Sequence, residues 1–404
     1  MGGLPVTPLA DALNRLYARI PLGMRMGLEP MRAACARAGH PEAAFPVVHV
    51  AGTNGKGSVC AMVEAIARAS GKRTGLYTSP HLCRFAERIR LDGEPVTDGA
   101  LAELLARALD TGPDLSFFET ATLAAFLAFR EAGVDLAVVE VGLGGRLDAT
   151  NVVPRPEAAA ITRIALDHTG WLGPTLVDIA REKAGIAKPG LDLVLGAMRP
   201  EVRAAIDEVA RSVGATTSDV GQVTLRSHVG LAGLHQQDNA RIAAVLGARV
   251  GASPRAVDEG IASARWPGRL ERIDGVLLDG AHNPDGARAL AAYVRSLRVP
   301  PSEVALIFGA LGDKDWRGML DLLAPVATRR IYVPPRGVTR NPAPPDAMAE
   351  VHVGYVAGSL EHALQVLRAW RSRPALVVVA GSLVLVGEAR ASLLDLPRDP
   401  PVAL

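Results

Sequence analysis

The sequence is poor in the features that mark secreted or membrane-spanning proteins. Its 404 residues include three cysteines, Cys35, Cys60 and Cys83, which lie far apart and without the spacing of a metal site. A small odd number of cysteines predicts reduced thiols in a cytoplasmic protein. The first residues lack a basic segment followed by an apolar one, so no signal peptide is predicted. The longest apolar run, residues 375–387, is interrupted by a Gly-Ser pair and is too short to span a bilayer.

A strong excess of either charge is also missing. The formal net charge is +2 at pH 7, and charged residues make up 21% of the chain. A nucleic-acid-binding surface would need a larger positive excess, so nucleic acid is not an expected partner, although local anion sites are compatible with this balance. The hydrophobic fraction of 49% supplies enough apolar material for buried sheets, and the length suits two domains.

Short β-branched runs alternate with alanine- and leucine-rich stretches along most of the chain. The runs at 45–51, 135–142, 158–164 and 191–196 are almost continuously apolar. Such runs are typical of strands in a parallel sheet that is covered on both faces. Their alternation with helical stretches predicts a doubly wound α/β fold with right-handed crossovers.

The alternation pauses at Trp266-Pro267-Gly268 and then resumes, with further strands predicted at 275–281, 303–309, 329–335 and 375–381. We therefore predict two domains. Residues 1–267 would form a P-loop-type doubly wound parallel sheet, and residues 268–404 a smaller Rossmann-like α/β domain. The proline-rich stretch 333–346 is predicted to be an irregular surface loop.

The most specific local motif is VVHVAGTNGKGSV at 47–59, an apolar strand that leads through a glycine-rich loop into a helix. Glycines let successive N–H groups point inward, and the helix N-terminus adds its positive dipole end. Lys56 is predicted to reach the β- and γ-phosphates, and the Ser58 hydroxyl to serve Mg²⁺. The motif departs from the common phosphate loop, because Val50 replaces its first glycine and Gly57 separates the lysine from the hydroxyl. The alternative is an ordinary glycine-rich turn, which the combination of strand, lysine and hydroxyl makes the weaker interpretation.

Polar side chains follow three other predicted strands. Glu140 lies at the end of the second apolar run, Ser79 follows the short strand RTGLY, and Asp167 and His168 follow the run at 158–164. Individually they are compatible with a solvated carboxylate, a Ser-Pro turn and a structural histidine. Because the carboxyl ends of parallel strands meet at one edge of a sheet, their convergence favours a binding site there. Glu140 is the expected partner of Mg²⁺ or of a metal-bound water.

Two loops in the predicted second domain allow more than one interpretation. Asp279 and His282 lie in a strand–loop–helix segment, where they could contact a nucleotide or substrate, or could form a turn and a helix cap. Asp313, Lys314 and Asp315 follow another predicted strand. Lys314 would suit an anionic amino-acid substrate, and a solvated loop is equally compatible.

Together these segments resemble the folylpolyglutamate synthase/dihydrofolate synthase family, which is related to the Mur peptidoglycan ligases. The resemblance covers roughly residues 45–390 and rests on motifs in order: GTNGKGS, YTSPHL, EVGLGGRLDATN, DHTGWLG, EKAGI, HQQDNA, WPGRLE and DGAHNP. It implies a cytoplasmic, monomeric ligase of folate biosynthesis and one-carbon metabolism. The implied cofactors are ATP and Mg²⁺, and the implied substrates are dihydropteroate, folates and L-glutamate.

The resemblance also implies roles for individual residues. Positions matching ATP contacts are Gly55, Lys56, Gly57, Ser58, Asn239, Arg269 and Asp279. Positions matching metal ligands are Ser79, Glu140 and His168. Positions matching the pterin-substrate segments are Ser116, Phe117, Phe118, Glu119, Leu147, Asp148 and Ala149. Lys183, by itself readable as a solvated cation, falls where the family carries a carbamylated lysine. The implied catalytic residues are Lys56, Glu140, His168 and Lys183.

The predicted function is an ATP-dependent ligase that adds glutamate to dihydropteroate and then to reduced folates through an acyl phosphate. The segment SFFETATLAAF, together with RLDATN, is similar to bacterial bifunctional members. One alternative is a monofunctional folylpolyglutamate synthase. A Mur-type peptide ligase would need an additional N-terminal domain, and only about 45 residues precede the first predicted strand. A non-catalytic nucleotide-binding regulator is disfavoured by the complete set of metal-ligand positions.

Overall fold

The structure is a computed structural model that describes residues 7–20, 27–221, 223–336 and 341–399. The chain divides into two compact units. The first comprises Met1–His81, Ala86–Gly230 and Asp238–Arg265, and the second Leu82–Phe85, Leu231–Gln237 and Trp266–Leu404. Two short segments that precede residue 267, Leu82–Phe85 and Leu231–Gln237, therefore belong to the second unit.

The first unit is built around an eight-stranded sheet. Its strands are β1 (Val47–Ala51), β2 (Thr74–Tyr77), β3 (Ile89–Leu91), β4 (Glu94–Pro95), β5 (Leu136–Glu140), β6 (Ala158–Ile161), β7 (Asp192–Leu195) and β8 (Thr216–Asp219). Their order across the sheet is β4-β3-β2-β5-β1-β6-β7-β8. The strands from β2 to β8 in this order run parallel, and β3 and β4 add an antiparallel edge. Strand β1 therefore lies between β5 and β6, with Val50 opposite Glu140.

Helices α1 to α10 are formed by the chain up to residue 263. They are α1 (Pro8–Tyr17), α2 (Glu29–Arg37), α3 (Lys56–Ala69), α4 (Asp98–Thr111), α5 (Phe117–Ala132), α6 (Thr169–Leu172), α7 (Leu176–Ala184), α8 (Pro200–Ser212), α9 (His235–Arg249) and α10 (Pro254–Ser263). Side-chain oxygens begin several of them: Thr97, Thr175 and Ser253 each accept an N–H from the first turn of the helix that follows. All residues of β1 and β5 are buried, which explains why their sequences are apolar apart from His49 and Glu140.

The second unit contains a smaller sheet. Its strands are β9 (Glu271–Ile273), β10 (Val276–Leu278), β11 (Val304–Phe308), β12 (Arg329–Tyr332), β13 (Tyr355–Val356) and β14 (Leu376–Ala380). The order is β13-β12-β11-β14-β10-β9, parallel except for β9. The helices are α11 (Pro284–Ser296), α12 (Trp316–Leu323), α13 (Pro345–Val351), α14 (Leu360–Ala369) and α15 (Leu383–Leu394).

Helices cover both faces of this second sheet, as the alternation along β11 demonstrates. Leu306 and Phe308 point into one apolar cluster, whereas Ala305 and Ile307 belong to another. The predicted α/β class, with a doubly wound sheet followed by a smaller Rossmann-like one, is confirmed. No described helix combines the length and hydropathy needed to cross a bilayer. In the proline-rich stretch 333–346, residues 337–340 lie outside the described residues, and α13 begins at Pro345.

Candidate active site

The loop after β1 is shaped by glycines that other side chains approach closely. Gly55 precedes the first residue of α3 with φ of 93°, and no side chain caps this helix within the described structure. A Cβ on Gly52 would lie 1.8 Å from Oγ1 of Thr162, and one on Gly55 would lie 2.4 Å from Oδ1 of Asn239. The close fit requires glycine at both positions. It leaves the N-terminal N–H groups of α3 suited to an anion.

The segment after β6 fixes the conformation of this loop. The backbone N–H of Thr53 donates to the carbonyl oxygen of Arg163 at 2.8 Å. The Thr53 hydroxyl donates to the Ala165 carbonyl at 3.1 Å, and the Thr162 hydroxyl donates to the Asn54 carbonyl at 2.8 Å. The sequence alone indicates no role for these threonines, because each has its partner in a segment that is distant in sequence. Their polarity inside a glycine-rich, otherwise apolar region was the available signal.

Ser79 and Glu140 meet at the carboxyl ends of β2 and β5. Glu140 is the last residue of β5, and its Oε2 accepts the Ser79 backbone N–H at 3.1 Å. The charges of Glu140 and Lys56 both affect the Cys60 thiol. Burial is the main cause that raises the pKa of this thiol, Glu140 raises it further, and Lys56 lowers it. The Glu140 carboxylate and the Ser79 backbone therefore meet at one edge of the sheet, as the strand ends predict. The Lys56 ammonium lies at the loop after β1, where it donates to the Thr53 carbonyl at 3.2 Å.

The oxygen donors at this edge are compatible with Mg²⁺. Glu140 and Ser58 are both almost fully buried, at 5% and 1% exposure. Within the described ranges, no group of three His, Cys, Asp or Glu residues has the arrangement of a metal site. Mg²⁺ characteristically uses one or two protein carboxylates together with substrate phosphates and water, so this donor set fits it.

His168 lies at the start of the short helix α6, beyond the end of β6. Its backbone has φ of 51°, and its N–H donates to Oδ1 of Asp167 at 2.9 Å. The ring Nε2 lies 3.8 Å from the same carboxylate oxygen. Three residues further on, the indole of Trp171 is half exposed. The structure thus places His168 beside Asp167, and its role as a metal ligand stays a prediction.

Lys183 is buried, which corrects the interpretation of a solvated cation. It lies near the end of α7 with 4% exposure. Burial, followed by the charge of Lys56, lowers the pKa of its ammonium group to about 7, while Asp167 and Asp148 act in the opposite direction. The loop after β5 packs against the same helix end, since a Cβ on Gly145 would lie 2.8 Å from the Lys183 carbonyl oxygen. The lysine is therefore enclosed by elements of the candidate site.

Residues 116–119, the first of the two segments predicted to contact the pterin substrate (the acceptor segments), form the start of α5. Ser116 and Glu119 make reciprocal hydrogen bonds, with the Ser116 N–H donating to Oε2 of Glu119 at 2.8 Å. This capping box gives both side chains a structural function. The Phe117 ring stacks with Tyr17 at 6.0 Å between centroids. Phe118 fits against Gly142, where a Cβ would lie 2.3 Å from the ring. Contact of these residues with a substrate stays a prediction.

Asp148 forms hydrogen bonds that hold the second predicted acceptor segment, residues 147–149, to the backbone around it. Its carboxylate accepts backbone N–H groups from Leu143 at 2.8 Å and Thr150 at 3.0 Å. Burial raises the pKa of this carboxyl group, and the hydrogen bonds oppose the increase. Leu147 is partly exposed and Ala149 is buried. Since Phe118 packs on Gly142 at the start of this loop, the two predicted acceptor segments lie together.

Asn239, Arg269 and Asp279 are divided between the units. Asn239 contacts Gly55, as described above. In the second unit, Asp279 accepts the N–H groups of Leu270 and Ala281, both at 3.0 Å. Arg269 packs against Gly280, where a Cβ would lie 2.2 Å from its Nη1. Burial raises the pKa of Asp279, and the nearby charge of Arg269 opposes this. Their contact with ATP stays a prediction.

Helix caps account for part of the two loops in the second unit for which the sequence allowed more than one interpretation. Asn283, rather than His282, caps α11 by accepting the Gly286 N–H at 2.9 Å. Asp315 caps α12 in the same way, accepting the Gly318 N–H at 2.9 Å. Asp279 is thus used in the local backbone structure, as the turn interpretation predicts, and Asp315 is used in a helix cap that the sequence alone did not predict.

Two protein-family models match the chain. The model of the Mur ligase middle domain matches residues 50–213, and that of the Mur ligase, glutamate ligase domain matches residues 268–383. With the doubly wound fold and the phosphate-type loop after β1, these matches define a protein of the Mur ligase class.

Individual relatives define the group more closely. A folylpolyglutamate synthase of Lacticaseibacillus casei is 35% identical over 88% of this chain and 92% of its own length. A dihydrofolate synthase/folylpolyglutamate synthase of Escherichia coli is 37% identical over 82% of this chain and 84% of its own. The chain also matches a probable bifunctional folylpolyglutamate synthase/dihydropteroate synthase of Haloferax volcanii, of which it spans only 50%. The chain belongs to the folylpolyglutamate synthase/dihydrofolate synthase family.

Solved structures agree with this assignment. E. coli FolC in complex with DHPP and ADP superposes with a TM-score of 0.88 at 33% identity, covering 98% of this chain and 99% of that one. A bifunctional folylpolyglutamate synthase/dihydrofolate synthase with Mn, AMPPNP and L-glutamate bound has a TM-score of 0.86 at 33% identity, covering 98% and 100%.

Proposed function

We propose that this protein is a bifunctional dihydrofolate synthase/folylpolyglutamate synthase. It adds L-glutamate to dihydropteroate and to reduced folates, with ATP and through an acyl-phosphate intermediate. The observation that best supports the proposal is the meeting of Ser79 with Glu140 beside the loop that carries Lys56. Relatives named for both activities, and solved relatives holding ADP or AMPPNP, support the same conclusion.

ATP is required because a carboxylate is a poor acyl donor. Direct attack by an amine would have to expel oxide, whereas phosphorylation turns one carboxylate oxygen into part of a phosphate leaving group. The N-terminal N–H groups of α3 and the ammonium of Lys56 attract the charge of the transferred phosphoryl group. Hydrogen bonds from Thr53 and Thr162 hold the loop in place before the reaction, so little reorganisation is needed.

The proposed metal ligands are Ser79, Glu140 and His168, with Ser58 on the nucleotide side. A bound Mg²⁺ supplies positive charge that offsets the phosphate oxygens. The backbone N–H of Ser79 donates to Oε2 of Glu140 and so holds this carboxylate beside Ser79.

We propose that Lys183 carries a carbamate. A neutral amine is needed to form the N–C bond with CO₂, and the reaction releases one proton. A pKa of about 7 leaves much of this lysine neutral at physiological pH. The positive charge of Lys56, which disfavours the ammonium form, would stabilise the anionic carbamate. Lys183→Ala should lower activity, with partial recovery in small carboxylic acids. Absence of the carbamate in crystals grown at high bicarbonate would argue against the modification.

The acceptor and the nucleotide are assigned to separate groups of residues. Phe117, Phe118 and Leu147 would offer apolar surface to the pterin, with Asp148 and Ala149 completing the loop and Ser116 and Glu119 holding the start of α5. Asn239, whose side chain lies against Gly55 of the phosphate loop, is a proposed contact of ATP. Arg269 and Asp279 are its proposed contacts in the second unit. Once the acyl phosphate has formed, the glutamate amine attacks the acyl carbon, and phosphate leaves.

We assign ATP and pterin binding to residues 1–267 and glutamate ligation to residues 268–404. We further propose a monomer in the cytoplasm. Light scattering of the purified protein tests the monomer: a stable dimer mass would exclude it. Imaging of the tagged chain in its host tests the location.

Product mass tests the activity directly. The enzyme is incubated with ATP, Mg²⁺ and glutamate, and with either dihydropteroate or tetrahydrofolate as acceptor. Each acceptor should gain the mass of one or more glutamyl residues as ADP is released. Turnover of tetrahydrofolate alone would identify the monofunctional synthase. ATP binding without ADP release in the presence of both substrates would identify the non-catalytic regulator.

A further inference from the structure

A buried chain of three side chains connects β1 with the predicted acceptor loop. Nε2 of His49 lies 2.8 Å from Oγ1 of Thr150, and Oγ1 of Thr150 lies 2.5 Å from Oδ1 of Asp148. His49 and Thr150 are fully buried, and Asp148 is 6% exposed. Because His49 lies in β1 and Gly52 begins the phosphate loop, one strand supports both the phosphate loop and the acceptor loop.

The hydrogen-bond donors in this chain follow from its chemistry. The Asp148 carboxylate receives N–H groups from Leu143 and Thr150, so the Thr150 hydroxyl also donates to it. The hydroxyl oxygen is then the acceptor for His49, which must carry its proton on Nε2. Nδ1 of His49 has no hydrogen-bond partner among the described residues, so a second proton there would be buried without an acceptor.

The electrostatics of the site agree with a neutral imidazole. Burial is the main cause that lowers the pKa of His49, and the charge of Lys188 adds to it, bringing the value to about 3. The imidazole therefore serves as a fixed N–H donor and does not exchange protons with the reaction.

We propose that His49 is a positioning residue for the acid acceptor. Through Thr150 it fixes the orientation of the Asp148 carboxylate, which in turn holds the backbone at Leu143. The inference rests on the proposed function, because it takes residues 147–149 as part of the acceptor site. Its consequence is that loss of this hydrogen-bond chain should weaken binding of the acid acceptor, while the phosphate loop keeps its own hydrogen bonds from Thr53 and Thr162.

Matched substitutions separate positioning from simple core filling. Thr150→Val removes the hydroxyl at constant shape, and Thr150→Ser retains it. His49→Leu removes the donor, and His49→Gln keeps an N–H near the position of Nε2. We expect Thr150→Val and His49→Leu each to raise KM for dihydropteroate by roughly tenfold or more, with KM for ATP unchanged. Thr150→Ser and His49→Gln should stay close to wild type. The double variant His49→Leu/Thr150→Val should lose no more than the worse single change, since both act through one chain.

Equal changes in both KM values, or a loss of thermal stability with both KM values unchanged, would overturn the positioning role. Nitrogen NMR of histidine-labelled protein gives a test independent of activity. The chain has nine histidines, and the His49 signal is identified by its loss in His49→Gln. We expect a protonated Nε2 and a bare Nδ1, and a proton on Nδ1 would refute the hydrogen-bond chain. A wild-type enzyme that ligates neither acceptor would refute the proposed function and the kinetic role, and the tautomer would still decide the hydrogen-bond chain.

Discussion

Each unit contains a strand that leads through a glycine-containing loop into a helix, and the two helix starts are completed in different ways. In the first unit, Gly55 precedes α3 and offers no side-chain cap, and Lys56 follows immediately. In the second unit, Asn283 caps α11, and Asp279 accepts the backbone N–H groups of Ala281 in its own turn and of Leu270 before β9. Similar patterns of strand, glycine and helix therefore leave N–H groups available in one unit and use them internally in the other. The residue at the cap position distinguishes a phosphate loop from an ordinary turn.

The charged side chains near these two helix starts also differ between the units. Around α3 and α7, burial lowers the pKa of the Lys183 ammonium group, and the positive charge of Lys56 lowers it further. Around β10, the buried Asp279 carboxylate has Arg269 beside it. The first region is thus arranged to receive negative charge from outside the chain, whereas the second balances its own.

The largest expected effect comes from removing the cation of the first region. Lys56→Ala should reduce ADP formation by about a thousandfold, because the charge developing on the phosphoryl group loses its nearest ammonium. ADP release and thermal unfolding are measured in parallel, to establish that the variant is folded. The control is Lys72→Ala, which removes a lysine just beyond the other end of α3 that donates to the Val250 carbonyl. Near-wild-type turnover in Lys56→Ala would contradict the comparison.

The next effect concerns stability and pH. The pKa of Lys183 is about 7 in the folded chain and 10.5 in its ordinary state, so between these values the unfolded chain holds a proton that the folded chain has released. The free energy of unfolding should therefore rise with pH across this window, by on the order of a few kcal/mol. Lys183→Met lacks the group and should lack this rise. The free energy of unfolding of both proteins is measured by urea unfolding in bicarbonate-free buffer at several pH values. The same pH dependence in both proteins would contradict a buried amine.

A glycine substitution tests how closely the first loop is packed. Gly55→Ala places a Cβ 2.4 Å from Oδ1 of Asn239, at a φ of 93°. We expect KM for ATP to rise by roughly tenfold, since loop and side chain must separate. Gly71→Ala is the matched control, because Gly71 also has a positive φ, of 78°, but no atom within 4 Å of the added Cβ. It should lower stability and leave KM for ATP unchanged. Equal kinetics of the two variants would exclude the close fit.

The smallest effect is expected in the second unit. Asn283→Ala should lower the free energy of unfolding by about 1 kcal/mol through loss of the α11 cap, with unchanged KM for ATP. Asn283→Asp, which retains an acceptor oxygen, should recover most of the stability. A rise in KM for ATP at constant stability would instead mean that this helix start binds a ligand, and the contrast between the two units would fail.

The central strands were predictable, and the sheet edges were not. Strands β1, β5 and β6 are buried throughout and β7 is buried from Leu193 onward, so their sequences are almost continuously apolar. Strand β8 has the sequence Thr-Thr-Ser-Asp at the exposed edge, and nothing in it distinguishes a strand from a loop. Strands β3, β4 and β9 are two or three residues long and are defined by their pairing. Hydropathy patterns indicate which residues are buried, and few residues of the edge strands are buried.

The candidate site shows a similar division. The meeting of Ser79 and Glu140 follows from the rule that parallel strands end at one edge, so the sequence could predict it. The burial of Lys183 depends on which elements pack over α7, and its helix alone indicates a solvated cation. The bonds of Thr53 and Thr162 require β1 and β6 to be neighbours, which only the sheet order establishes.

The half-exposed indole of Trp171 gives the first unit a built-in optical signal. The chain has four tryptophans, and the other three, Trp266, Trp316 and Trp370, belong to the second unit. Trp171 is 51% exposed and lies three residues from His168, so its emission wavelength depends on the solvent around that end of the sheet. Replacing the other three with phenylalanine would leave a single-tryptophan protein, whose tryptophan fluorescence can be followed in nucleotide and metal titrations without any attached dye.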